Sequence, residues 1–175
     1  MDDVGSNLPA PQSAVSPQPR PAGSPHQQQW LPLLELAAQE VFDIMLDEPL
    51  AQEAPSAAVA GENFTAMVGL AGSLRGVVTF CCGAQSAHEI AARMLRLDVA
   101  CSEEQVCDAI GEICNMIAGN FKNKLTGLDK PCLLSVPAVV TGRAYRFHSL
   151  AGGESLESSL VLDGWPVIVR LDIHA

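Results

Sequence analysis

Between Val106 and Phe121 the apolar residues recur at the period of one helical face, and this run restricts the fold more than any other part of the chain. Turned through 3.6 residues per turn, Val106, Ile110, Ile113, Ile117 and Phe121 fall together, flanked by Ala109, Cys114 and Met116. Ser102 and Gln105 have the spacing of a capping box at its start, and Thr126-Gly127 marks its expected end. Such a helix has one side to bury and one to show. Asp108, Glu112, Asn115, Gly119 and Lys122 line the side it shows. Glu112 and Asn115 are three residues apart, so both side chains can reach the same group. Gly119, a turn further on, costs about 1 kcal/mol relative to alanine in a helix, and its missing side chain lets another backbone approach closely.

The remaining elements follow from the same periodicities. Leu34, Ala37, Ala38, Val41, Phe42 and Met45 share a face, which predicts a helix from Leu31 to Leu46 that Glu48-Pro49 terminates. Phe64 to Leu70 and Gly76 to Cys82 read as strands joined through Gly72-Ser73. Ser86 is placed to cap a second helix running to about Leu97. Beyond Cys132 the chain is strand-rich to Ile173, with Asp163-Gly164 as a hairpin turn and Pro166 suited to the first position of a strand. Helices in the first two-thirds and antiparallel strands at both ends define an α+β fold, with long helices packed on one mostly antiparallel sheet. Residues 1–28, rich in Pro, Gln, Ser and Gly, lack the large apolar side chains that offset ordering entropy and are expected to form a disordered tail. Residues 29–175 are then a single domain.

Composition removes several classes of function. A formal net charge of -10 argues against nucleic acid as a partner. No apolar run approaches the roughly 20 residues needed to span a bilayer, and no basic-then-apolar leader begins the chain, so a cytoplasmic location without membrane contact is expected. The six cysteines, Cys81, Cys82, Cys101, Cys107, Cys114 and Cys132, include no C-x-x-C pair, and several occupy apolar positions. They read as small buried hydrophobes, with a thiol-based redox regulator as the alternative. No metal site is expected.

An acid and an amide on one face are a poor set for conventional hydrolysis. An amide takes up no proton at neutral pH, no histidine lies nearby in sequence, and no Ser or Cys has an evident base. Taken alone, the pair is also what an ordinary solvated face carries. The whole string, with Asp108, Gly111, Glu112, Asn115, Gly119 and Asn120 at their spacings after a β-hairpin and a helix, resembles the CheX-type chemotaxis phosphatases of the CheC/CheX/FliY family. Their signature is an E-x-x-N pair followed by G-N. The resemblance continues through Pro137 to Gly142 and covers most of the chain from about Trp30.

The resemblance implies a CheC-like fold of two related halves, and an echo is visible: Glu40 and Asp43 occupy the wheel positions of Glu112 and Asn115. With a carboxylate where the second copy has an amide, Glu40 and Asp43 are read as a solvated face. It also implies a substrate, the aspartyl phosphate of a CheY-type response-regulator receiver domain. Asn115 would orient the attacking water and Glu112 would pair with the receiver lysine, with Asp108, Gly119 and Lys122 as further partner contacts. The chain would need no cofactor of its own, because Mg²⁺ would come with the receiver. A homodimer through sheet edges is a family expectation as well. Asn120 falls toward the apolar side and is expected to be hydrogen-bonded, tying the helix to a neighbouring loop. Three alternatives stand beside the phosphatase: a receiver-binding module without catalysis, the redox regulator, and a structural component of a flagellar assembly.

Overall fold

In the computed structural model, residues 25–47, 49–52, 61–97, 99–125, 131–143, 145 and 153–174 are described. Among these residues three helices and seven strands follow in the order α1 (Pro25–Leu46), β1 (Ala51–Gln52), β2 (Glu62–Ala71), β3 (Gly76–Gly83), α2 (Ala84–Leu95), α3 (Glu103–Lys124), β4 (Leu133–Leu134), β5 (Ala138–Arg143), β6 (Glu154–Leu162) and β7 (Trp165–Ile173). The strands form one antiparallel sheet in the order β1-β6-β7-β3-β2-β4, with β5 also pairing β2. The two short pieces β4 and β5 thus share one edge of β2, against Leu70–Ala71 and Glu62–Met67 respectively.

Alternation along the central strands gives the sheet its two faces. Phe64, Ala66, Val68 and Leu70 of β2, Val78, Phe80 and Cys82 of β3, and Val167, Val169 and Leu171 of β7 are all buried on one of them. All three helices cover that face. Phe42 of α1 stacks at a tilt on Phe80, with ring centroids 5.8 Å apart. His88 of α2 meets Phe64 edge-on. Cys114 of α3 points its thiol at the Ala66 and Val78 carbonyls. The result is the two-layer α+β architecture expected from the sequence.

Two turns match their sequence signals closely. Asp163 and Gly164 both have positive φ (49° and 83°), the conformation of a two-residue hairpin whose twist suits the flanking strands. In the β2–β3 connection Gly72 has φ 125°, and a Cβ there would lie 2.3 Å from the Pro131 carbonyl oxygen, so only glycine fits.

Three helix boundaries differ from expectation. Helix α1 begins at Pro25, inside the span read as tail, and passes through Pro32. The His26 ring stacks on Trp30 at 4.2 Å, and its Nδ1 lies 3.1 Å from Glu154 Oε2. A partner 128 residues away holds that first turn, which composition could not reveal; the other residues of the expected tail, 1–24, lie outside those described. Helix α2 starts directly after β3 with Gly83 as its N-cap, and Ser86, expected to cap it, is buried within the first turn. It stops at Leu95 because Arg96 turns left-handed (φ 52°) and donates back to the Ala92 and Arg93 carbonyls. Helix α3 ends at Lys124, where Leu125 is extended and half-buried against the core. The expected stop at Thr126-Gly127 lies outside the described residues.

Candidate functional site

Helix α3 forms because local and tertiary signals agree. Ser102 accepts a hydrogen bond from the Gln105 amide at 3.3 Å while Gln105 Oε1 accepts from the Ser102 amide at 2.9 Å, which completes the capping box. Glu103 and Glu104 in the first turn and Lys122 and Lys124 in the last complement the helix dipole. Val106, Ile110, Ile113, Cys114, Ile117 and Phe121 are buried, as the wheel requires.

On the opposite side Asp108 and Glu112 are exposed, and Asn115, Gly119 and Lys122 are half-buried. The candidate residues therefore stand along one face, as their spacing predicts. The side chains of Glu112 and Asn115 have no hydrogen-bond or ion-pair partner among the described residues, so both are available to a visitor.

Asn115 sits between two glycines, each one turn away, and both border the β4–β5 edge. A Cβ on Gly111 would meet Val139 Cγ2 at 3.4 Å and Pro137 at 3.7 Å, whereas one on Gly119 would meet only Leu134 Cδ1 at 3.8 Å. Gly111 thus seats the helix against Pro137 and Val139. At Gly119 an alanine would fit at ordinary contact distance, so packing within the chain does not require glycine there.

Asn120 is hydrogen-bonded as expected, but to a helix and not to a loop. Its Nδ2 donates to Glu40 Oε2 at 2.8 Å and to the Ala37 carbonyl at 3.2 Å, and Lys124 Nζ donates to the same Glu40 oxygen at 2.6 Å. These donors, Lys124 first and Asn120 second, hold the Glu40 carboxyl below the usual carboxylate range. The reading of Glu40 as merely solvated is therefore corrected: Asp43 is exposed, but Glu40 bolts α1 to α3. Sequence reasoning missed this because the three residues are brought together from positions about 80 apart.

Cys81, Cys82, Cys107 and Cys114 sit where the thiolate is disfavoured. All six are free. Burial raises the thiols of Cys81 and Cys82 and pushes Cys114 up to about 12; Cys107 is raised by burial and then by Glu103 and Asp108. Iodoacetamide at pH 8 is expected to leave Cys82 and Cys114 unmodified in the folded chain and to label all six cysteines after denaturation, as read by intact-mass spectrometry. Rapid labelling of Cys114 in the native protein would contradict this. Among the described residues no group of three His, Cys, Asp or Glu side chains is placed to hold a metal ion, and no described helix is long and apolar enough to cross a membrane.

A long helix laid over an antiparallel sheet, as here, is the fold of solved CheX, CheC-like and FliY structures. Solved structures with this fold include the chemotaxis protein CheX from Vibrio vulnificus (TM-score 0.73, 20% identity, covering 86% of this chain and 100% of that one). They also include CheX from Borrelia burgdorferi in a CheX-CheY-BeF3-Mg²⁺ complex (TM-score 0.68, 22% identity, 84% and 99% covered) and Thermotoga maritima FliY (TM-score 0.62, 16% identity, 87% and 91% covered). At these identities the likeness speaks for the fold. No curated protein matches the chain. The chain belongs to the chemotaxis phosphatase CheX family, whose model matches residues 64–158, more than half of its length and the whole of α3.

Proposed function

We propose that this protein accelerates hydrolysis of the aspartyl phosphate on a CheY-type receiver domain, with Glu112 and Asn115 as the residues that act. The observation that carries this reading is the pair itself, outward on a rigid helix and unpartnered among the described residues. The family supports a phosphatase, and the CheX-CheY complex of the Borrelia relative supports a receiver as its partner.

Phosphoryl transfer asks a protein mainly to position the nucleophile and stabilise charge. The Asn115 carboxamide offers one acceptor and two donors, so its oxygen can accept from a water while its NH₂ faces a phosphoryl oxygen. The oxygen of that water bonds to phosphorus as the bond to the aspartyl oxygen breaks. The receiver carboxylate is regenerated, inorganic phosphate departs, and the proton given up by the water leaves with it. Magnesium enters this reading with the receiver, as part of the substrate. Glu112 pairs with a lysine of the receiver and sets the docking register, a charge-assisted contact strengthened as water is excluded. Asp108 and Lys122 lie on the same face, where they contact the rim of the partner, and the bare backbone at Gly119 lets the partner come close. In this reading the protein acts in the cytoplasm, where receivers are phosphorylated.

The test is loss of phosphate from a CheY-type receiver phosphorylated with acetyl phosphate in Mg²⁺, with and without this chain. Acceleration by the wild-type chain is expected. Glu112→Ala is expected to raise KM about tenfold, the worth of one charge-assisted hydrogen bond. Tight receiver binding with no acceleration would leave a binding module in place of an enzyme.

A further inference from the structure

The edge strand beside α3 is interrupted between β4 and β5, and the interruption is built with care. Ser135 makes three hydrogen bonds there: its amide donates to the Gly69 carbonyl at 2.9 Å, its Oγ accepts from the Gly69 amide at 2.8 Å, and the hydroxyl donates to the Val136 carbonyl at 2.9 Å. Gly69 lies within β2, where glycine weakens a strand and commonly marks close approach of another backbone. A Cβ at that position would come within 3.3 Å of Ser135 Oγ, so the bare backbone lets Ser135 sit where it does.

This bulge holds up a single side chain. Val136 is 86% exposed, the highest value among the large hydrophobic residues of the described chain, and Leu133 at 66% flanks it. The next residue, Pro137, faces Gly111, and Gly111 directly precedes Glu112. An apolar knob is thus fixed at the border of the helix face that carries Glu112 and Asn115. Isolated exposed hydrophobes are ordinary on protein surfaces. One that follows a residue held by three hydrogen bonds, the last of them to its own carbonyl, with a strand glycine given up to allow them, is preorganised for contact, and preorganisation is what lets a small apolar anchor contribute to binding.

We infer that Val136 is a docking anchor, inserting into an apolar depression on the receiver domain beside its phosphorylated aspartate and helping to determine which receivers are accepted. This rests on the functional reading above. The occupant is the same partner that Glu112 engages, because knob and helix face adjoin, and the acidic side chains Glu104, Asp108 and Glu112 leave the apolar part of the recognition to another element.

The experiment compares Val136→Asp, Val136→Ala and Ser135→Ala with the wild-type chain in the acetyl-phosphate assay, alongside sedimentation velocity of each variant. Val136→Asp is expected to raise KM about tenfold and Val136→Ala about threefold, with kcat within about twofold of wild type, the split of an interaction made equally in the ground and transition states. Ser135→Ala keeps the valine but loosens its support, and is expected to raise KM about threefold. A wild-type chain that dephosphorylates the receiver with the same KM as Val136→Asp overturns the anchor while leaving the phosphatase intact. A change in sedimentation with KM unmoved overturns it in favour of contact between copies of this chain. Absence of wild-type acceleration overturns the phosphatase and this inference with it.

Discussion

Asn115→Ala is expected to lower kcat for receiver dephosphorylation about a hundredfold, a loss of about 2.7 kcal/mol of transition-state stabilisation, with affinity for the receiver held within about threefold. The reasoning starts from what the amide does in the free chain. It is half-buried and unpartnered among the described residues, so removing it orphans no internal donor or acceptor and should leave the denaturation midpoint nearly unchanged. On the proposed mechanism its contribution is realised only when a water and a phosphoryl group are present, and an interaction of that kind appears in kcat. Asn115→Asp sharpens the test, because it keeps the shape but replaces a donor with a charge that repels the phosphate. That variant should be at least as slow as alanine. A variant set in which KM rises and kcat stays constant would reassign the amide from chemistry to docking.

Phe80→Ala is expected to cost about 3–5 kcal/mol of folding stability, through lost transfer energy and the cavity left behind. Phe80 is fully buried on β3, a strand flanked by β2 and β7, and its ring meets Phe42 where α1 crosses the sheet. In a domain of this size the loss corresponds to a fall in Tm of roughly 6–20 °C. Because single domains are stable by only about 5–15 kcal/mol, this one ring accounts for a large share of the margin. Calorimetry or urea denaturation reads the effect directly. At 20 °C, where the variant remains folded, turnover should stay near wild type, since the ring lies in the buried layer whereas Glu112 is exposed and Asn115 half-buried on the other side of α3. A cost below about 1 kcal/mol would mean that the two layers can close over the gap.

The parts of this molecule legible in the sequence are those whose cause is local. Ser102 and Gln105 satisfy each other within one turn, Asp163-Gly164 adopts a conformation that joins β6 to β7 tightly, and the apolar stripe of α3 repeats too regularly to be misplaced. The exposure of Glu112 followed from the same wheel. What escaped was decided at a distance. Ser86 has the chemistry of a cap, but β3 runs without a gap into α2, so the helix begins three residues earlier and Ser86 is enclosed. The first turn of α1 depends on Glu154. Glu40 looked solvated because its two donors lie on another helix. The Ser135 bulge depends on a glycine 66 residues away, and only the sheet register brings them together.

The Glu40 contact carries a consequence for stoichiometry. Helix α1 repeats the acid of α3 at the corresponding place, yet that acid is already satisfied by Lys124 and Asn120, and the position matching Asn115 is Asp43, a carboxylate without the NH₂ donors of an amide. On the function proposed above, each chain therefore offers one competent helix and discharges one signalling molecule at a time. Its output should scale linearly with its abundance in the cell, without the avidity that a second competent helix would add.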